Sequence, residues 1–246
     1  MLYALLFSFI AFVLCSVGAS LIFFVKKSSD KLEAFLHAFA GGVMVASSIF
    51  SLILPASEYC VSLNLKEYLI LPICFALAFL AMFLLNIKNG QVGDKINVKT
   101  FNLGMALHNI PEGMCIGFAF ASSLHLGTHT AFMSALMIAL GIGIQNIPEG
   151  SSVAFPLYSL GYSKKKAFFT ALLVGCVEVP ACIIAYFLGL SYMFLLPYML
   201  TFAAGLMLVV AVCELMPEAL SKNKKIAILT FCLGFLLMMT LDVALG

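Results

Sequence analysis

The chain has 246 residues, of which 63% are hydrophobic and 10% charged, with a formal net charge of +2. Soluble domains are about one half apolar and one quarter charged, and disordered chains are poorer still in apolar residues, so both classes are excluded. Lysine supplies all 13 basic residues and no basic domain points to nucleic acid; with a mean hydropathy of +1.14, the chain reads as a polytopic membrane protein.

A helix crosses a bilayer with roughly 20 apolar residues. Eight such runs follow one another: spans 1 to 8 at 2–25, 34–54, 68–86, 101–124, 130–155, 167–188, 192–215 and 226–245. The runs are continuous rather than alternating, which excludes a β-barrel. The expected fold is all-α, a single transmembrane domain over 1–246. Span 1 starts beside Met1 without a basic n-region or a small-residue cleavage site, and is expected to be retained rather than removed as a signal peptide.

The lysines fix the orientation. Lys26, Lys27 and Lys31 follow span 1; Lys88, Lys95 and Lys99 follow span 3. Lys164, Lys165 and Lys166 follow span 5, and Lys222, Lys224 and Lys225 follow span 7. The turns after spans 2, 4 and 6 hold Lys66 alone. Basic residues stay on the cytoplasmic side, so the alternation supports eight spans with both termini outside the cytoplasm. Of the eight cysteines most fall inside spans, Cys60 alone being expected in an outer loop. They read as small membrane-helix residues and not as a disulfide framework.

Two internal repeats are visible. HNIPEG at 108–113 in span 4 is answered by QNIPEG at 145–150 in span 5. FAGGVM at 39–44, leading to Pro55, is answered by FAAGLM at 202–207, leading to Pro217. Each pair lies on spans that cross in opposite senses. Spans 1–3 are thus related to spans 6–8 around a central pair, a 3+2+3 inverted repeat. Such repeats with Pro- and Gly-interrupted helices mark transporters whose site lies near mid-membrane.

Glu112, Glu149 and Glu178 lie well inside apolar runs. An ionised residue at that depth costs at least about 2.5–3.5 kcal/mol on insertion scales, so each needs a partner or a cavity. His108 precedes Glu112 by four residues and Asn109 by three; Gln145 and Asn146 stand in the same relation to Glu149. Each helix therefore presents a carboxylate with two further ligands one turn away. Pro111 and Pro148 free the carbonyls of Leu107 and Ile144 beside them. Imidazole, carboxylate and amide oxygen in a membrane make a cation site, and the imidazole favours first-row metals over Ca²⁺ and Mg²⁺. Glu178, followed by Pro180, adds a third acid; the excess charge calls for two metals sharing bridging carboxylates, or for a proton. Met44 is a candidate thioether ligand that is equally read as ordinary apolar packing. His125 and His129 in the outer loop read as solvated, with metal capture as the alternative. His37, Glu214 and Glu218 at inner helix ends are weak candidates for an exit, and Glu58 is similarly placed outside.

These residues resemble the ZIP (Zrt-, Irt-like) family of divalent-metal transporters, particularly its short prokaryotic-type members. The resemblance rests on the paired hexapeptides, on VEVP around Glu178 and on the eight-span plan. It implies zinc uptake toward the cytoplasm across the cell membrane, with Fe²⁺, Mn²⁺ and Cd²⁺ as further cargo, and no cofactor apart from that cargo. It implies a binuclear centre: His108, Glu112, Gln145 and Glu149 with Met44 for one metal, and Asn109, Glu112, Asn146, Glu149 and Glu178 for the other. The expected partners are the metal ion, the lipid bilayer and a second copy of the chain. Three departures stand out: Gln145 occupies a position where histidine is frequent, position 146 is Asn rather than Asp, and the loop 87–99 carries no histidine cluster. A broad-selectivity cation channel with the glutamates as a selectivity ring is the alternative. An intramembrane metal-dependent hydrolase is remote, because no His-Glu-x-x-His helix is present.

Overall fold

The computed structural model describes residues 1–25, 29–88 and 98–245. Lys26, Lys27 and Lys95, with most of the 87–99 loop, lie outside the described residues. Helices account for nearly all of what is described, and no strand occurs among those residues. In hydrocarbon each backbone N–H and C=O must be satisfied within the segment, and a helix does so. In order the helices are α1 (Leu2–Ser20), α2 (Asp30–Ser47), α3 (Leu54–Ser62), α4 (Glu67–Lys88) and α5 (Val98–Leu126), followed by α6 (His129–Ser159), α7 (Lys164–Gly175), α8 (Glu178–Ser191), α9 (Leu196–Val210) and α10 (Met216–Leu245). Among the described residues, six stretches are long and apolar enough to cross a membrane. Polar caps set the starts: the side chains of Ser29, Thr128 and Ser163 accept from the N–H groups of Leu32, Ala131 and Lys166, satisfying donors that a first turn leaves free.

The structure redraws three expectations. Span 6 is two helices, because α7 ends at Gly175 and α8 begins at Glu178. Pro180 is tolerated there, since a first turn needs no intrahelical N–H donor. Spans 7 and 8 are not separated by an open loop: helix runs over 49 residues, Leu196–Ala244, interrupted at Asn223 (φ −157°, ψ 100°). There the Asn223 side chain accepts from Ile226 N–H at 3.1 Å and restarts the helix. Cys60 is not in a loop but fully buried in α3, where a small thiol packs as an apolar residue.

The repeat around Met44 and Met207 has a structural counterpart. Four residues after each methionine the chain widens into a π-helical turn, Ser48–Ile53 and Ala211–Leu215. Pro55 and Pro217 follow, and neither can donate to the carbonyl four residues back; the wider turn accommodates that missing bond.

The four most extensive helix contacts are α2 on α10, α5 on α8, α1 on α6 and α4 on α9. Alanine, glycine and other small residues line these contacts, as expected where lipid offers no hydrophobic drive and helices associate by close fit. Two glycines set the helix spacing at the centre of the bundle. A Cβ on Gly113 of α5 would overlap the backbone carbonyl of Glu178, and one on Gly150 of α6 would overlap that of Cys15 on α1. The two hexapeptides thus bring their helices into backbone contact with neighbours directly beside Glu112 and Glu149. Outward, Ile73, Leu77, Leu80 and Phe83 of α4 are exposed and face what a bilayer would supply.

Gly113→Val is expected to destabilise the protein by about 1–3 kcal/mol, the usual range for overpacking. The check is the melting temperature in detergent, with Leu229→Ala on the exposed face of α10 as control. Equal melting of the two variants would contradict the backbone contact.

Candidate metal centre

Glu112 projects from α5, Gln145, Asn146 and Glu149 from α6, and Glu178 from the first turn of α8. These five side chains and Asn109 are at most 2% exposed. Two amides join the three helices. Gln145 Nε2 donates to Glu112 Oε1, and Asn146 Nδ2 donates to Glu178 Oε2 at 2.8 Å. Asn109 Nδ2 donates to the Val174 carbonyl at 3.3 Å, tying α5 to the end of α7. The break between α7 and α8 gives Glu178 a second support, because the positive end of the α8 dipole stabilises a carboxylate in its first turn.

The acceptors exceed the donors. Glu112 Oε2, Glu178 Oε1, Gln145 Oε1, Asn146 Oδ1 and Asn109 Oδ1 are all buried without a hydrogen-bond partner. A buried polar atom left unpaired costs about 1–3 kcal/mol, more when charged. Among the described residues no lysine or histidine forms an ion pair with Glu112 or Glu178. Glu149 and Glu178 lie close enough to act electrostatically on Glu112, so the cluster repels itself. Buried oxygens in excess, with repelling carboxylates, are a charge imbalance that a cation would relieve.

The ligands are not gathered as a closed cage. Among the described residues, no three His, Cys, Asp or Glu side chains stand together as a metal group. The NH₂ groups of Gln145 and Asn146 occupy one oxygen each of Glu112 and Glu178. The His108 side chain lies outside the described ones, although its place on α5 one turn before Glu112 agrees with the sequence reading. Met44 is fully buried within the main apolar cluster, together with Met207, and no hydrogen bond links it to the carboxylates.

Two features escaped the sequence reading. Cys15, placed there among packing cysteines, forms the α1 wall behind the site, within electrostatic reach of Glu112, Glu149 and Glu178. Nothing marked it among eight similar residues. Asp242 is a fourth acid within an apolar run; its Oδ1 accepts from Ser51 Oγ at 2.6 Å. It lines a cavity of about 230 Å³ with Ser51, His129 and Ser134. His125 at the end of α5 and His129 at the start of α6 are both exposed, and His129 borders this recess.

Comparison with known proteins follows the same motifs. The family model described as ZIP zinc transporter matches residues 91–242. Human zinc transporter ZIP11 is 45% identical over 145 residues, 58% of this chain and 42% of its own length. Zinc transporter GufA of Myxococcus xanthus is 42% identical over 161 residues, 64% of this chain and 60% of its own. Zinc transporter ZIPB of Bordetella bronchiseptica is 30% identical over 260 residues, 99% of this chain and 82% of its own. The chain therefore spans less than half the length of ZIP11 but most of ZIPB. A match that covers both hexapeptides and Glu178, and a relative aligned from end to end of the described helices, have one reading: the chain belongs to the ZIP family of membrane transporters and is not an enzyme.

Proposed function

We propose that this protein moves divalent transition-metal cations, zinc foremost, across the cell membrane into the cytoplasm through a site between α5, α6 and α8. The observation that carries the reading is the set of five buried oxygens without hydrogen-bond partners, beside Glu112 and Glu178, which form no ion pair among the described residues. The printed names of the relatives, zinc transporters in each case, favour zinc as cargo. One metal takes His108, Glu112, Gln145 and Glu149, with Met44; the other takes Asn109, Asn146 and Glu178, the glutamates of α5 and α6 bridging the two. A half-turn of either amide exchanges its NH₂ for its orphaned oxygen, converting the metal-free hydrogen bonds into coordination. Oxygen-rich donors of this kind bind first-row metals less tightly than thiolates do, which suits a site that must release its cargo.

The transport geometry is an inverted repeat of eight spans, 3+2+3, with both termini outside the cytoplasm. The Asn223 break supports counting the Leu196–Ala244 stretch as two spans. The pairings support the symmetry: α5 packs on α8 as α6 packs on α1, and α2 packs on α10 as α9 packs on α4. The matched π turns after Met44 and Met207 support it independently. The exposed apolar face of α4 suits lipid or a second copy of the chain. Inverted repeats favour alternating access over a fixed pore.

Glu149→Ala is expected to abolish Zn²⁺ uptake into proteoliposomes while the protein still inserts and elutes as a folded species. Undiminished uptake would overturn the site. His108→Ala is expected to weaken Zn²⁺ uptake more than Mn²⁺ uptake, because imidazole is the softest strong ligand present. Competition kinetics with the two metals test this, and equal losses would remove His108 from the coordination sphere.

A further inference from the structure

Away from the central site, a second group of charges closes the end of the bundle that carries the lysine-rich turns. Asp30 and Glu33 occupy the first turn of α2, and Glu218 and Lys222 the start of α10 just before the Asn223 break. Lys222 Nζ stands 2.8 Å from Glu33 Oε2, 3.7 Å from Asp30 Oδ1 and 3.9 Å from Glu218 Oε1. The Glu33 hydrogen bond holds the Lys222 ammonium above the usual lysine range, so it remains a cation. Glu33 is buried while Asp30 is largely exposed, which places the carboxylate of Glu33 at the floor of the group and Asp30 at its rim.

One turn deeper on the same face of α2 lies His37, 2% exposed, with Nδ1 lacking any hydrogen-bond partner. The ring lies within electrostatic reach of Glu33 and Glu218 and abuts the backbone of Ser152 on α6, three residues beyond Glu149. Glu33 with His37, and Glu218 with Lys222, are i,i+4 pairs on two packed helices, so their side chains converge. Removing the ammonium would leave the carboxylates of Glu33 and Glu218 and an imidazole, with Asp30 at the rim, a donor set that zinc and its neighbours accept.

We infer that Lys222 is a tethered counter-ion seated in a second cation site, formed by Glu33, His37 and Glu218, which a divalent transition metal enters only by displacing the lysine. A lysine ammonium is a compact charge on a flexible stem with three donors, so it neutralises the carboxylates and can swing away from them. While it sits there the site is closed: Glu33, His37 and Glu218 do not stand together as a metal group, and all three must close on an ion once the lysine leaves. Metal arriving from the side of Glu149, or accumulating in the compartment beyond, competes with Lys222 for Glu33. The site therefore senses the metal level on the release side. This inference rests on the chain being a cation carrier but not on which residues hold the central metal.

The test is Zn²⁺ binding to the purified full chain in detergent, by calorimetry with Zn²⁺ as the only added ligand. Lys222→Met is expected to add one bound Zn²⁺ per chain, at least about tenfold tighter than any binding there in the wild type; this follows from losing one charge-assisted bond. The added ion should persist in Lys222→Met with Glu149→Ala, and vanish when His37→Ala or Glu33→Gln is combined with Lys222→Met. Lys222→Arg should add none. Lys222→Gln repeats the measurement if the apolar variant fails to insert. Unchanged stoichiometry in Lys222→Met and Lys222→Gln would overturn the inference, as would an added ion indifferent to His37→Ala. If Lys222→Met gains an ion while Glu149→Ala loses none, the central-site assignment fails and this one stands. If Glu149→Ala loses an ion while Lys222→Met gains none, the central site stands and the Lys222 site fails.

Discussion

Three carboxylates held out of water on helices in backbone contact are the constraint on which the rest of the structure turns. Glu112 and Glu178 are fully buried, and among the described residues no cationic side chain reaches them. Low dielectric strengthens their mutual repulsion and raises the penalty for leaving them unpaired. The backbone contact at Gly113 puts α5 against the first turn of α8, so the charges cannot relax apart without separating the helices. On the proposed function, a mobile cation supplies the charge that the fold withholds.

Amides make that arrangement tolerable in the absence of metal. Gln145 and Asn146 each give an NH₂ to one carboxylate and leave an oxygen unpaired. A neutral side chain that is donor in one orientation and acceptor in the other is suited to a site that fills and empties. A histidine at position 145 would bind a metal more firmly but would offer the empty site less. At the far end of the bundle the same electrostatic problem has a different solution: Lys222 pairs with Glu33 directly. Among the described residues the central carboxylates have amides and no cationic side chain, whereas the peripheral ones carry their own counter-charge.

Much of this was legible in the sequence because membrane helices are read by length and apolarity, and because carboxylates are rare enough there to stand out. The hexapeptide repeat singles out Glu112, Gln145, Asn146 and Glu149, and all four are buried. The break after Gly175 was illegible, because it divides an apolar run whose composition does not change, whereas the break at Asn223 falls in the lysine-rich turn between spans 7 and 8. The π turns were equally hidden, although the two prolines that require them were in view. Cys15 could not be singled out, since its relevance comes from packing beneath Gly150 rather than from any local pattern. Lys222 read as one more topological lysine; only the folding of α2 against α10 shows that it has partners.

The most direct test of the central claim is anomalous scattering from crystals soaked in Cd²⁺, whose strong signal counts ions and places them together. The account predicts two peaks between α5, α6 and α8, flanked by Glu112 and Glu149, with Gln145 and Asn146 turned so that their oxygens face the metal. A fully occupied metal elsewhere in the membrane-spanning region, with these carboxylates still hydrogen-bonded to the amide NH₂ groups, would contradict it.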